Sequence, residues 1–184
     1  MGYTTEFVGE FAVEPPLAGV HYAYLERFCR TRRMKREPKT LEAMRDPLRE
    51  AVGLPVGTDG EYFVAARLQC GVDSDSSVVD YNQPPSPQPG LWCQWRPSPD
   101  GRTLAWDGIE KFYDYRPWLK YLIANMLKPW GYTVGGLVLW HGERWDDTGI
   151  IRVIRNDVVA RQQHWDRADP GFWLAHFKGE RRAS

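Results

Sequence analysis

The chain has 184 residues, of which 42% are hydrophobic and 26% charged, enough to bury one core and too few for two ordinary domains. Its 24 Lys and Arg balance 24 Asp and Glu, so overall charge speaks neither for nor against a nucleic-acid partner and any electrostatic signal is local. Cys29, Cys70 and Cys93, odd in number and widely spaced, suit reduced thiols better than a disulfide framework or a zinc knuckle.

Phe7, Phe11 and Val13 alternate with polar residues between Tyr3 and Val13, which predicts a strand with one wet face. After Pro15-Pro16, the spacing of Leu17, Val20, His21, Tyr24, Leu25 and Phe28 puts all six on one helical face. Leu41 to Ala51 reads as a shorter helix interrupted by Pro47, since a mid-helix proline removes a donor. Glu61 to Leu68 is aromatic and β-branched between glycines, the composition of a second strand. Val72 to Gly90 is a long loop, and 91–96 with 103–107 form a hairpin turning at Pro99-Asp100-Gly101.

A second main helix is predicted from Asp114, as N-cap, through the apolar stripe Trp118, Leu119, Leu122, Ile123, Met126 and Leu127. Three strands follow over 132–140, 149–155 and 158–161, the last two joined at Asn156-Asp157. The expected fold is α+β: a two-layer sandwich, mainly antiparallel, with two principal helices on one face. It forms a single domain over 1–162, followed by a C-terminal amphipathic tail over 163–184 that carries Trp165, Phe172, Trp173, His176 and Phe177. That tail suits docking on the domain's own sheet, a partner or a membrane surface. No stretch has the roughly 18 apolar residues of a membrane span, and Met1 to Glu6 lacks the basic start and apolar run of a secretory signal, so a cytoplasmic location is expected.

Met1-Gly2-Tyr3-Thr4-Thr5-Glu6-Phe7, Thr31-Arg32-Arg33-Met34, Gln88-Pro89-Gly90-Leu91-Trp92-Cys93-Gln94-Trp95, Trp106-Asp107-Gly108 with Glu110-Lys111-Phe112-Tyr113, and Trp118-Leu119 with Tyr121-Leu122-Ile123 resemble a family of small uncharacterised proteins of actinobacteria and their phages. The likeness extends from residue 1 to about 158 and transfers no activity and no site residues. The tail after Val159 departs from the pattern.

Phosphate-loop, dinucleotide, zinc-protease, Cys-x-x-Cys and nucleophile-elbow signatures do not occur. The sharpest charge feature is 27–49, with nine basic residues against three acidic ones. Within it Arg30, Arg32, Arg33, Lys35 and Arg36 suit phosphates or carboxylates, or else a helix end whose arginines pair with the protein's own carboxylates. Nine Trp, nine Tyr and seven Phe either fill the core or offer stacking surfaces. Trp92 and Trp95 fall on opposite faces of a regular strand, with Trp106 across from them and Tyr81 in the loop before them. Pro84 to Pro89 is a stiff candidate contact segment.

His141, Glu143, Asp146 and Asp147 are the candidate catalytic groups, although Asp146-Asp147-Thr148-Gly149 also has the form of an ordinary hairpin turn. Asp107-Gly108-Ile109-Glu110 has the form of a capping box. Asp73, Asp75, Ser77 and Asp80 faintly suggest calcium, but without the Gly and Glu of an EF-hand; no metal and no cofactor is called for. The expected function is a non-enzymatic accessory or regulatory protein, phage-derived on the resemblance. It would contact a host protein or nucleic acid through the basic helix end and the aromatic, Pro-rich loop. The alternative is an enzyme acting on a nucleotide or nucleic acid at 141–147. Oligomeric state is not legible.

Overall fold

Alternation along β1 (Thr5–Glu14) buries Phe7, Phe11 and Val13 on one side, and this strand takes a central place in the sheet because both its edges find partners. The computed structural model describes residues 2–66 and 76–179. On one side β1 pairs with β5 (Thr103–Trp106), itself paired with β4 (Trp95–Pro97). On the other it pairs along its whole length with β6 (Thr133–Gly142), followed by β7 (Thr148–Ile154) and β8 (Asp157–Gln162). The order is β4-β5-β1-β6-β7-β8, antiparallel throughout. A separate two-stranded ladder joins β2 (Lys35–Arg36) to β3 (Val78–Asp80).

The first face of the sheet is covered by two helices, which makes the α+β two-layer sandwich. From α1 (Gly19–Arg30) come Tyr24, Leu25, Phe28 and Cys29, and from α4 (Tyr115–Leu122) Trp118, Leu119, Tyr121 and Leu122. These meet Phe7, Phe11, Trp95, Val138, Trp140, Ile151 and Val153 from the strands. Phe7 alone stands edge-on to Trp95, Trp106, Phe112 and Tyr115, the geometry ring quadrupoles prefer. Past Leu122 the helix continues as a π turn, Ile123–Leu127, where the Asn125 side-chain amide donates to the Tyr121 carbonyl that an α-helix would reserve for the backbone.

On the second face, α5 (Pro170–Gly179) and the segment before it lay Phe177 and Trp165 over Leu137, Leu139 and Ile150. Trp165 donates its indole N–H to the Trp140 carbonyl, and Arg167 donates to the Gly142 and Arg144 carbonyls. The tail therefore docks on the sheet; Arg181 and Arg182 lie outside the described residues.

Several expectations are corrected. Glu61 to Ala66 is not a strand, and 67–68 lie outside the described residues. Its backbone is paired by side chains instead: the buried Asp46 accepts from the Val64 and Ala65 amides, while the partly buried Arg27 donates to the Val64 and Ala66 carbonyls and the buried Arg33 to those of Glu61 and Phe63. Asp46 and Glu37 also cap the short helices α3 (Pro47–Ala51) and α2 (Pro38–Glu42), so proline divides the predicted single helix in two. Asp114 precedes α4 in a left-handed conformation, φ 56°, and its carboxylate caps nothing. Asp107 forms a local turn to the Ile109 amide rather than opening a helix. The last hairpin turns on Arg155 and Asn156, both at positive φ, one residue earlier than expected.

Candidate functional site

After α1 the chain leaves Thr31 extended, and extended backbone sends alternate side chains to opposite sides. This sets Arg32 and Arg33 apart, and a register shift between Lys35 and Arg36 in the β2–β3 ladder breaks the alternation before Arg36. Arg33 and Arg36 are each 2% exposed. Arg33 donates to the Glu61 and Phe63 carbonyls and to Gln88 Oε1, with its guanidinium 4.2 Å from the Phe28 ring. Burial pulls its pKa below the ordinary value, because a low-dielectric site penalises charge. Arg36 donates to Ser77 Oγ and lies over Phe63. Both are structural pins and not surface contacts. Arg30 pairs with Glu26 one helical turn back, and Lys35 with Asp59 at 3.6 Å.

Arg32 points the other way. Its guanidinium sits 4.0 Å from the centre of the Tyr81 ring and 5.9 Å from that of Trp92. Donation from Nε to the Tyr81 carbonyl and from a terminal nitrogen to Asn82 Oδ1 fixes it there. Among the described residues no carboxylate pairs with it. Trp92 is 39% exposed, while Trp95 is fully buried and donates to the Tyr115 carbonyl. The two tryptophans do part as alternation predicts, but Trp95 is a core residue and offers no stacking surface. Trp106, opposite Trp95 in the ladder, is half-buried against Phe7 and donates to the Ile109 carbonyl. The Pro-rich segment is divided: Pro85 and Gln88 are buried, Ser86 and Pro87 exposed. Gln88 locks the loop down by donating to the Glu61 carbonyl and the Tyr121 hydroxyl. Tyr121 in turn donates to Glu61 Oε1 at 2.6 Å, and burial and that bond raise its pKa well beyond the ordinary value. The result is a shelf of Tyr81 and Trp92 about a fixed Arg32.

No protein-family model, curated protein or solved structure matches this chain. What the shelf can bind therefore rests on its own side chains.

The four candidate catalytic groups are not brought together. His141 turns to the second face, 3.1 Å from Glu6 and edge-on to Trp165. Burial, then Arg167, lower its pKa despite Glu6. The Glu143 carboxylate accepts from the Thr4 amide at 2.8 Å. Asp146 is held by both ends of the Arg144 guanidinium, a hydrogen bond that lowers its pKa. Only Asp146 and Asp147 share a cleft, of about 360 Å³, with Tyr3, Arg144 and Gln162. There Asp147 accepts from the Tyr3 hydroxyl at 2.6 Å and the Trp140 indole at 3.3 Å. Burial and that carboxylate raise the Tyr3 pKa. Sequence reading missed Tyr3 and Gln162: Tyr3 precedes β1 and Gln162 ends β8, and only the pairing of β1 with β6 and of β7 with β8 places them here. It also passed over Trp145, 80% exposed, whose one sequence signal is an indole set between charges in a turn.

For calcium, Ser77 is engaged by Arg36 and Asp80 accepts from the Asn82 amide, while Asp73 and Asp75 lie outside the described residues. Among the described residues no three His, Cys, Asp or Glu side chains gather as a metal site. No helix there is long and apolar enough to cross a membrane.

Proposed function

We propose that this is a non-enzymatic binding protein that holds a partner protein on the Arg32, Tyr81 and Trp92 shelf. The observation that carries this reading is the exposed Trp92 indole beside a guanidinium already fixed over Tyr81. Arg, Tyr and Trp dominate the energetics of protein interfaces, and side chains ordered before binding lose little entropy on contact. A protein partner is favoured over nucleic acid because the four basic residues that flank Arg32 in sequence bring it little free charge. Arg33 and Arg36 are buried, and Arg30 and Lys35 are neutralised by Glu26 and Asp59, whereas phosphate binding draws on several solvent-facing cations.

The test is affinity capture from a lysate of the source organism with wild-type, Arg32→Ala and Trp92→Ala protein, beside fluorescence anisotropy with labelled RNA and DNA over a salt series. Expected is one protein held by the wild type and weakened about tenfold or more by either substitution, with no oligonucleotide binding at low salt. Capture that is equal for all three proteins would reject the shelf. Oligonucleotide binding that falls steeply with salt would replace the protein partner by nucleic acid.

A further inference from the structure

The two edges of the main sheet differ. At one, β4 has three residues and ends in Pro97, both devices that blunt an edge. At the other, β8 is six residues long, on the order of 20 Å, and contains no proline. Its backbone parity follows from the ladder: the Gln163 amide donates to the Thr148 carbonyl, so the odd-numbered residues of β8 turn their amides and carbonyls toward β7. Val158, Ala160 and Gln162 turn theirs outward, and β8 is the last strand of the sheet.

The side chains on this edge are self-complementary. Asp157, Val159 and Arg161 share the second face with Ile154, which lies opposite Asp157 in the ladder. Val159 is 52% and Ile154 42% exposed, an apolar pair at the rim of the sheet. We propose that β8 is a homodimer interface, in which a second copy adds its own β8 antiparallel about a two-fold axis at Val159. In this register Val158 exchanges both backbone hydrogen bonds with Ala160 of the second copy, and the reverse pair does the same. Val159 meets Val159, and Asp157 faces Arg161 on each side of the axis in non-hydrogen-bonded pairs, where side chains lie closest. Shifting the copies by two residues sets one of the two charges against Val159 and the other against Gln163 or the like-charged Arg155, so charge and apolar pattern select this register. The dimer doubles the six-stranded sheet and leaves the two Arg32 shelves, which precede β4, at its far ends.

An interface of one strand pair is small, which places it in the weak class; the expected dissociation constant is on the order of 10–100 μM. Sedimentation velocity from about 5 μM to 1 mM spans that range. Asp157→Arg and Arg161→Asp should each weaken the dimer roughly tenfold or more by setting like charges opposite each other, and the double swap should restore it. Ala160→Pro removes an amide that faces away from β7, so the hairpin keeps its ladder while dimerisation is lost; circular dichroism checks that each variant is folded. A wild type monomeric throughout, a swap that does not restore association, or an Ala160→Pro protein that dimerises normally would each overturn the proposal.

Discussion

Asp46 shows how one residue stands in for a whole strand. It is 1% exposed, and its carboxylate accepts from the Val64 amide at 2.7 Å, the Ala65 amide at 3.3 Å and the Arg49 amide at 3.3 Å. The segment 61–66 has the aromatic and β-branched composition of a strand, but the positions beside it are filled by Asp46, Arg27 and Arg33, which satisfy its backbone. Backbone donors buried without partners cost the full desolvation penalty. Asp46→Ala should therefore lower unfolding free energy by about 3 kcal/mol in urea titration, and Asp46→Asn by less, since the amide oxygen still accepts. Equal losses for the two would mean that the carboxylate acts through packing alone. Nothing in the spacing of Asp46 marks it out: in sequence it is one of several acids in a basic stretch, and only the burial of its partners makes it structural.

Among the elements, β7 depends on the absence of a side chain. Gly149 lies opposite Trp140 in the ladder, and a Cβ placed on it would overlap the Trp140 indole and the Arg161 carbonyl oxygen. The ring and the backbone cannot both yield in a packed sheet. Gly149→Ala should therefore cost about 3 kcal/mol, seen as a lowered urea midpoint, whereas alanine at the exposed Gly179, where a Cβ meets nothing within 4 Å, should be neutral. The long elements were legible because their patterns are dense: alternation in β1, the face of Tyr24, Leu25 and Phe28 on α1, and a stripe through Trp118 and Leu122 on α4; of the other positions expected on the α1 face, Leu17 precedes the helix and Val20 is 49% exposed. The short ones were not. β2 and β3 have two and three residues, too few for a period, and exist only because the segment 31–37 runs beside 77–91, with the Arg33, Lys35 and Glu37 amides donating to Leu91, Gln83 and Ser77.

At the scale of the molecule, two histidines give stability a pH dependence. His21 stacks on Trp130 at 4.3 Å and meets the Tyr132 hydroxyl at 2.7 Å. Tyr132 accepts from the Ala18 amide and so has its own proton to offer the ring. Burial lowers the His21 pKa, and burial with Arg167 lowers that of His141. In the unfolded chain both protonate near pH ~6.5; the folded state takes up those protons only at lower pH. Their contribution is therefore complete above that pH and lost as pH falls below it, because there the unfolded state binds more protons. The urea midpoint should drop between pH 7.5 and 5.5, and the double variant His21→Gln/His141→Gln should be nearly flat across that window. A wild type as insensitive as the variant would contradict the assignment.

From its residues alone this protein was readable as an α+β sandwich with helices on one face, because hydrophobic periodicity is a local property that each element carries whole. The division of tryptophans 92 and 95 was readable for the same reason, whereas that the buried Trp95 is the one paired with Trp106 was not. What only the tertiary structure decided is where charge goes. Arg32 and Arg33 are adjacent and chemically identical, yet one reaches solvent over Tyr81 and the other enters the core against Phe28, Glu61 and Phe63. A buried guanidinium is tolerated only where carbonyls from distant segments converge on it, and that convergence exists only once the chain is folded. His141, Glu143, Asp146 and Asp147 differ for the same reason: neighbours in sequence, they are engaged by Glu6, Thr4, Arg144 and Tyr3, and of these partners Arg144 is local while the other three reach their side through the closing of β1 onto β6.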